Sequence, residues 1–585
     1  LTLTWCGAVS FRWVHFNFLQ VFSLSPLLFW SYFNWQKSKN NKYLLYIAFL
    51  ICQMTFAGHM QTTFIMLVGL VLLHLVRKRP FQLRESIYLF GSIVLGFILA
   101  APQIIPTMQL SHYSARSFAN PYQYVVSYIF NSKDLIGFFS SQSLGTPLNA
   151  NYGNLVSNGS RIYWENTPYI GELFIVLLFC ATVYYSITHR KLLEPFIFLI
   201  LSLSFLILAF GGDSPLYFLF SIFPFNMFRT PSRYLLASVF FLILYSAYIF
   251  KSLISTNLIY KIIVYSLIFI NCGILIITAF NYHLFIDSRT LLNTLTQYPK
   301  ITSNSSYITY GGTEEWNKTF ASKGWHTQQS INTYLFLNSA LLPNSNLING
   351  LSTFDVYTGG LKLRRNEYLK SIVIDSLDSV TSNESNADLN DKLEKLLHLY
   401  NIGTIVSLSP VDLPHFSQVS SKKMGEINIT FWNNSQQSNT VFYIPSKVTS
   451  VLYLEDIERE MSLEAVSEKN AFAESLPTHI SQNNTTVTIQ IANNTEQKLH
   501  SIIDTSKNIY IVAKKGWYPE WHLFIDGKEQ KIYKTNLIHM GFYLPKGKHS
   551  VEFVYIPTSF YVGCLFSTIG IVFILILIRM RLVRS

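Results

Sequence analysis

The sequence predicts a polytopic α-helical membrane protein of about nine spans, with an extracytoplasmic α/β plus β-sandwich domain before its last helix. Half of the 585 residues are hydrophobic and only 13% are charged, against about 25% in an ordinary soluble domain. Nine apolar stretches approach the roughly 20 residues that a spanning helix needs. A long polar segment, residues 281–557, contains no such stretch. This composition excludes a simple soluble enzyme.

Eight of the apolar stretches lie in residues 1–280, the predicted multispanning membrane domain, and the ninth lies in residues 558–585, which end in a basic cytoplasmic tail. The stretches are 17–35, 43–58, 60–76, 86–107, 170–187, 195–211, 234–250, 260–280 and 559–578. The second and third are short and are joined by a tight turn at Ala57–Gly58–His59, which predicts a tilted hairpin.

Basic residues beside the helix ends predict the orientation, because cytoplasmic loops are enriched in Lys and Arg. With nine crossings, all of the basic clusters fall on one side, which we assign to the cytoplasm. The outer side then receives the loops 108–169 and 212–233 and the segment 281–557. The clusters are Lys37, Lys39 and Lys42; Arg77, Lys78, Arg79 and Arg84; Arg190 and Lys191; Lys251 and Lys261; and Arg579, Arg581 and Arg584.

The outer segment changes character along its length. Residues 281–450 combine a helical pattern at 389–400 with a short strand-like run at 403–409, which predicts an α/β lobe. Residues 451–557 contain strand-like runs at 485–492, 508–514, 521–525 and 549–556, with an Asp526–Gly527 turn after the third, and predict a β-sandwich.

The net charge of +12 and the pI of about 9.2 do not predict a nucleic-acid partner, because the basic residues lie in short clusters between apolar runs. The five cysteines have no metal-ligand spacing, and the chain has no glycine-rich nucleotide loop. We predict no cofactor, and a divalent metal remains an open alternative.

Only six of the 32 carboxylates lie outside residues 281–557, and the topology places four of these on the outer side. The six are Glu85, Asp134, Glu165, Glu172, Glu194 and Asp213. Asp134, Glu165 and Asp213 are candidate catalytic groups, and Arg116 is a candidate substrate contact beside them. Solvated loop charges are the alternative interpretation.

The segment 225–233 places Arg229 and Arg233 among apolar residues directly before a span. Arginine at the level of the outer lipid headgroups binds phosphate through two parallel N–H bonds, so both are candidate donor-phosphate contacts. An anchor for ordinary lipid phosphates is the alternative. Pro231 fits the first position of the following helix, with Thr230 as its N-cap.

His59 and Gln61, at the outer end of the hairpin, are candidate substrate contacts, with a polar helix cap as the alternative.

Several motifs together resemble the YfhO family of bacterial multispanning membrane proteins. These are GHMQ at 58–61, FNMFRTPSRY at 225–234, LLPNSNLINGLSTFDVY at 341–357, and the blocks GWYPEWHLFIDGKEQKIYKTN and LPKGKHSVEFVYIPTSFYVG within 516–563. The resemblance runs from about residue 20 to the C-terminus.

YfhO-like proteins are similar to GT-C glycosyltransferases, so the resemblance implies a bacterial cytoplasmic (inner) membrane protein. The implied activity transfers a sugar from a polyprenyl-phosphate donor to a cell-envelope polymer or glycan acceptor on the outer face of the bilayer. Such chemistry needs a carboxylate base and cationic groups that stabilise the departing phosphate. GT-C proteins carry a catalytic Asp in their first outer loop. No acidic residue precedes residue 20 here, so either the helices that carry it lie upstream of this chain, which we expect, or the activity is altered.

Two other functions remain open from the sequence. A translocator of lipid-linked saccharide would also use outer arginines, although charges in the centres of the spans, which favour transport, are almost absent. A non-enzymatic anchor would bind surface glycans through Trp517, Tyr518 and Trp521. We expect these three aromatic residues to pack in the sandwich or at its junction with the membrane domain.

Overall fold

The computed structural model describes most of the chain, in ranges separated by short gaps. These ranges are residues 1–77, 82–115, 122–146, 148, 162–188, 193–255, 257–299, 301, 305–321, 328–355, 361–382, 387–409, 411, 416–434, 440–453, 456–457, 467–482 and 485–582. Arg116, Lys78, Arg79, Arg190, Lys191 and Arg584 lie outside the described residues.

All nine apolar stretches form helices, and the fourth is divided into two. The longer helices of the apolar part are α1 (Phe16–Ser38), α2 (Lys42–Phe56), α3 (Met60–Arg77), α4 (Leu83–Leu99), α5 (Ala101–Tyr113), α6 (Glu172–Thr188), α7 (Leu193–Ala209), α8 (Leu235–Ile254) and α9 (Leu258–Tyr282). Single-turn helices form at Thr2–Trp5, Gly7–Ser10, Tyr122–Val125 and Tyr163–Asn166. Tighter 3-10 turns form at Ser132–Phe138, Gly211–Asp213, Tyr217–Ser221, Phe225–Met227 and Pro231–Tyr234.

The polar segment 281–557 adds four longer helices and sixteen strands among the described residues, and α14 (Thr558–Leu582) follows it. The helices are α10 (Ser288–Thr296), α11 (Gln328–Asn338), α12 (Arg364–Ser382) and α13 (Ala387–Leu399). The strands are β1 (Ser306–Tyr310), β2 (Ile402–Ser407), β3 (Phe416–Met424), β4 (Ile427–Asn434), β5 (Phe442–Tyr443), β6 (Lys447–Val451), β7 (Asn470–Glu474), β8 (Ile480–Ser481), β9 (Val487–Asn494), β10 (Lys498–Thr505), β11 (Ile509–Ala513), β12 (Trp521–Ile525), β13 (Lys528–Gln530), β14 (Tyr533–Thr535), β15 (His539–Leu544) and β16 (Gly547–Tyr555).

Aromatic side chains fill the centre of the helical part. Phe205 of α7 stacks on Phe241 of α8, with ring centroids 5.7 Å apart. Gly69 of α3 lies against the same Phe241 ring, so that a Cβ at position 69 would lie 2.8 Å from it. The absence of a side chain at Gly69 therefore lets α3 approach α8 closely. This packing fixes the ends of α3 and α8, which carry the polar residues described below.

The fourth apolar stretch bends by 74° between α4 and α5. Pro102 has no amide proton to continue the hydrogen-bond ladder of α4, and it lies in the first turn of α5, where none is needed. α14 packs closely on this bend. The Oγ of Ser567 donates to the carbonyl of Leu99 (2.9 Å), and a Cβ at Gly563 would lie 2.6 Å from the carbonyl oxygen of Ala101.

Among the described residues, four helical segments are long and apolar enough to cross a membrane: Met60–Arg77, Pro231–Ile254, Leu258–Tyr282 and Thr558–Arg579. The bent pair α4–α5 makes five if it is one span. The apolar helices α2, α6 and α7 are shorter. The helices thus indicate a membrane-embedded protein with a β-rich C-terminal region, whereas nine crossings stay a prediction.

Ion pairs gather at one end of the helical part. Lys39, after α1, pairs with Glu85 at the start of α4, and Arg77 at the end of α3 pairs with Glu194 at the start of α7 (2.8 Å). The hydroxyl of Tyr248 in α8 donates to the same Glu194 (3.3 Å). Helix ends that the sequence assigns to the cytoplasmic side therefore lie together.

The polar segment is built from layers of β-sheet and α-helix. A four-stranded sheet has the order β1-β2-β4-β3, with β1 and β2 parallel, and a seven-stranded sheet has the order β5-β11-β15-β14-β7-β6-β8. The helices α12 and α13 share one apolar core with these two sheets, through residues such as Leu369, Leu397, Ile405 and Val512. Because the seven-stranded sheet takes strands from both sides of residue 450, the two predicted outer regions are joined by a common sheet.

The other face of the seven-stranded sheet packs on a five-stranded sheet of order β13-β12-β16-β10-β9. Phe542 of β15 and Phe553 of β16 meet across the interface, with ring centroids 5.4 Å apart. The two sheets form the predicted sandwich. The turn at Asp526–Gly527 joins β12 to β13, and both residues have positive φ (49° and 77°), as a two-residue hairpin turn requires.

Trp517, Tyr518 and Trp521 pack as expected. Trp517 and Trp521 lie against the sandwich core. Tyr113 at the end of α5 contacts the rings of Trp517 and Tyr518, with centroids 5.9 and 6.0 Å apart. These aromatic residues thus lie at the junction of the β-rich region with the helical part.

Candidate functional site

A buried polar cluster lies at the opposite end of the helical part from the Lys39–Glu85 pair. Its centre is Glu165, in the short helix Tyr163–Asn166, and its side chain is only 3% exposed. The loop before α1, the start of α3 and the turn before α8 each contribute a polar residue. We call Arg12, Gln61, Glu165 and Arg233 the Arg–Glu–Arg cluster.

Glu165 is held between two arginines. Arg12 Nη2 donates to Glu165 Oε2 (2.6 Å), and Arg233 Nε donates to Glu165 Oε1 (3.1 Å). Burial alone would raise the pKa of the Glu165 carboxyl, but the charges of Arg12 and Arg233 outweigh it and lower the pKa to about 2. Glu165 is therefore a permanent anion at neutral pH.

Arg12 is almost completely buried. Its Nη1 donates to the carbonyl of Ala8 (2.6 Å), whereas its Nε is enclosed and has no hydrogen-bond partner among the described residues. The neighbouring His15 Nδ1 is likewise enclosed and unpaired. The sequence interpretation omitted both residues. Arg12 could have been found in the sequence, because it is a charged residue within an apolar stretch, GAVSFRWVHF. A charge that is buried with such a stretch requires a partner.

Gln61 fixes the turn that carries the two predicted phosphate-binding arginines. Its Nε2 donates to the carbonyls of Arg229 (2.6 Å) and Thr230 (3.3 Å), and its Oε1 accepts from Arg233 Nη1 (2.7 Å). The Nη2 of Arg233 makes no hydrogen bond to a described residue, and the side chain is 27% exposed. Within the described part of the chain, one terminal nitrogen of the partly exposed Arg233 side chain is thus without a protein partner.

Arg229 is positioned by aromatic rings. Its guanidinium lies 4.9 Å from the ring centre of Tyr124 and 4.6 Å from that of Tyr128. Its side chain makes no hydrogen bond within the described part of the chain. Stacking on aromatic faces leaves the N–H groups at the edge of the guanidinium available.

His59 lies just before α3. Its Nδ1 contacts the hydroxyl of Thr62 (2.8 Å) and accepts from the amide of Thr62 (3.3 Å), which leaves the proton on Nε2. Burial and the nearby Arg233 lower the pKa of His59 to about 4. The imidazole is therefore neutral at pH 7, and its Nε2–H has no partner in the described residues.

The three candidate catalytic carboxylates lie in different surroundings. Asp134 is buried and caps the 3-10 turn Ser132–Phe138, where its Oδ2 accepts from the amide of Asn131 (3.1 Å) and from Asn166 Nδ2 (3.2 Å). Glu165 is bound by both arginines, whereas Asp213 is exposed at the end of α7. The structure brings Glu165, Arg233 and Gln61 into contact and leaves Asp134 and Asp213 outside the hydrogen-bonded cluster.

The turn before α8 differs from its predicted form. Pro231 begins the helical turn, as expected, but Pro231–Tyr234 is a 3-10 turn and α8 itself begins at Leu235. Thr230 occupies the cap position with a left-handed backbone (φ 70°), and its side chain caps no amide. Thr230 thus lies at the predicted N-cap position, but its side chain does not make the capping hydrogen bond. Gln61 stabilises this turn instead, through the carbonyls of residues 229 and 230.

No group of three or more potential metal ligands occurs in the part of the chain that the structure describes. No protein-family model, curated protein or solved structure matches this chain.

Proposed function

We propose that this chain acts as a membrane glycosyltransferase that uses a polyprenyl-phosphate sugar and an acceptor of the cell envelope. The observation that carries the proposal is Arg233 at one end of an apolar helix bundle, where Glu165 and Gln61 hold Nε and Nη1 and no described residue bonds Nη2. A lipid phosphate at that end of the bundle would meet this nitrogen without displacing either partner. The proposed setting is a bacterial cytoplasmic membrane, with residues 281–557 outside.

The chemistry of the leaving group explains the arrangement. Transfer breaks the bond between the sugar C1 and a phosphate oxygen, and that oxygen leaves with the electron pair on the polyprenyl phosphate. Fixed N–H donors stabilise the negative charge that develops on it. Arg229 and Arg233 supply guanidinium donors, and neutral His59 supplies an Nε2–H. Because Glu165 neutralises one of the arginine charges, the site is pre-organised without an excess of uncompensated buried positive charge.

The acceptor hydroxyl must lose its proton to a base. Glu165, with its pKa near 2 and both oxygens occupied, is a poor proton acceptor, and Asp134 is committed to its cap. Asp213 is the exposed member of the three candidates. Of the three candidate carboxylates of this chain, we therefore propose Asp213 as the base.

Transfer in liposomes tests the function. The full chain is reconstituted with polyprenyl-phosphate glucose as donor and a glycerol phosphate polymer of the teichoic type as acceptor. We expect glucose on the polymer and release of polyprenyl phosphate. Movement of the donor between leaflets without release would instead support a saccharide translocator, and binding of the polymer with neither process would support a glycan-binding anchor.

The proposed topology predicts opposite accessibility for two exposed serines. Ser38, at the end of α1, should face the cytoplasm, and Ser506, after β10, should face outside. In a chain whose five cysteines are replaced, we expect a membrane-impermeant thiol reagent added to intact cells to label Ser506→Cys and not Ser38→Cys. Both should react after permeabilisation. Labelling of Ser38→Cys alone in intact cells would show that the orientation is the opposite of the proposed one.

A further inference from the structure

A second concave site lies on the four-stranded sheet of the polar segment. It is a pocket of about 400 Å³ between the hairpin β3–β4, the end of α12 and the chain after β2. That volume falls in the range of small-molecule sites. None of its lining residues belongs to the Arg–Glu–Arg cluster.

The sheet places polar groups on the pocket side. Along β4, Asn428, Thr430 and Trp432 alternate with Ile429 and Phe431, which are buried in the core on the other face. Gln418 lies opposite Trp432, and Ser421 lies opposite Thr430, because the register shift between residues 418 and 420 keeps both β3 residues on the same face.

Hydrogen bonds hold these side chains in place. The Oγ of Ser421 donates to Asn428 Oδ1 (2.9 Å), and Asn428 Nδ2 donates to Thr430 Oγ1 (3.3 Å). The indole Nε1 of Trp432 is enclosed and has no acceptor among the described residues. A buried indole N–H usually has a partner, and no described residue supplies one here.

The lining indicates the ligand chemistry. Among the described residues, the lining combines amides, hydroxyls, an indole ring and three aliphatic side chains with one carboxylate, Glu426, and it includes no lysine or arginine. Amides and hydroxyls both donate and accept, which suits the hydroxyls of a sugar, and an indole ring provides an apolar surface for its C–H face. A phosphorylated or acidic ligand would meet Glu426 without a compensating cation.

We infer that this pocket binds a neutral saccharide of one or two units. The inference does not depend on sugar transfer at the arginines, because binding to the pocket requires neither donor lipid nor catalysis.

Saturation-transfer NMR on the detergent-solubilised full chain tests the inference, with maltose, cellobiose and chitobiose as probes. We expect at least one disaccharide to bind, and glucose 1-phosphate to bind more weakly than glucose. Because Gln418 and Asn428 are exposed, their replacement by alanine should leave the fold intact and weaken binding about tenfold each, as expected for a lost hydrogen bond. Trp432→Phe keeps a ring but removes the N–H and should also weaken binding.

Gln490→Ala is the matched control, since Gln490 is an exposed strand amide on β9 of the five-stranded sheet. It should leave the affinity unchanged. Absence of signal with all three disaccharides at millimolar concentration would overturn the inference. So would equal binding by Gln418→Ala, Asn428→Ala and the parent chain, or binding of a neutral tetrapeptide in place of the disaccharides.

Discussion

Replacing Glu165 by alanine is expected to destabilise the folded protein by about 3–5 kcal/mol, the cost of removing one partner from a buried ion pair. Arg12 is 2% exposed and would lose its carboxylate without gaining access to water. Arg233 is partly exposed and retains Gln61, so most of the penalty arises at Arg12. Thermal unfolding of the detergent-solubilised protein, followed by circular dichroism, measures the change.

Two further variants separate the loss of the ion pair from a general loss of packing. Glu172→Ala removes an exposed glutamate from the first turn of α6, where it accepts from the Tyr169 hydroxyl (2.7 Å), and should cost no more than about 1 kcal/mol. The double variant Arg12→Met with Glu165→Leu should recover much of the stability, because apolar replacements remove both buried charges. Equal unfolding temperatures for Glu165→Ala and Glu172→Ala would show that the cluster contributes little.

The low pKa of Glu165 predicts how its contribution depends on pH. The carboxyl titrates near 4.5 in the unfolded chain and near 2 in the folded protein. Its contribution to stability is therefore complete above about pH 4.5 and decreases as the pH falls from there toward 2. The stability difference between the parent chain and Glu165→Gln should be constant from pH 6 to 8 and become smaller between pH 4.5 and 3. A difference that changes around neutral pH would contradict this assignment.

Hydropathy and alternation predicted much of the fold. The helical pattern at 389–400 corresponds to α13, and the four predicted sandwich runs correspond to β9, β11, β12 and β16. These patterns are local, because the spacing of apolar residues within one segment predicts a helix or a strand with one buried face. It does so whatever that face packs against. The layering of α12 and α13 between two sheets was not predictable, since it depends on contacts between distant segments.

The bend in the fourth apolar stretch shows where local patterns fail. Residues 86–107 remain apolar through Ala100, so hydropathy alone predicts one continuous helix. Pro102 permits the 74° bend, and close packing against Gly563 of α14, more than 460 residues later, accompanies it. Proline marks a possible break, but the direction and size of the bend depend on the distant helix.

The site was predictable only in part. Arg233, Gln61 and Glu165 were identified as separate candidates from their residue types and predicted side of the membrane. Their direct contact was not predicted, because Gln61 and Arg233 are 172 residues apart in sequence. Arg12 was missed for the same reason, since Glu165 lies 153 residues away from it. Buried charges are neutralised by tertiary contacts, which the sequence does not specify directly.

The phosphate role of Arg233 predicts a graded loss of sugar transfer. Arg233 uses Nε for Glu165 and Nη1 for Gln61, and we propose that Nη2 binds the donor phosphate. Arg233→Ala should reduce transfer by about one to two orders of magnitude, equivalent to the loss of about 1.5–3 kcal/mol of charged hydrogen bonding. Arg233→Lys should recover only part of the rate, because one ammonium cannot reproduce the geometry of three guanidinium nitrogens.

Arg229 should respond in the same direction, for a different structural reason. Lysine at position 229 would keep the charge but lose planar stacking on Tyr124 and Tyr128, so its donors would no longer be fixed. Arg289, an exposed residue of α10, is the matched control, and Arg289→Lys and Arg289→Ala should both transfer at the parent rate.

Transfer from polyprenyl-phosphate glucose is compared for all six variants at matched expression and equal thermal stability, with the apparent KM for the donor measured separately from kcat. A lipid anchor would tolerate lysine fully at both positions, because any cation at the headgroup level serves that purpose. Full transfer by Arg229→Ala and Arg233→Ala would therefore show that neither arginine binds the donor phosphate, and anchoring to lipid would remain as the explanation for both.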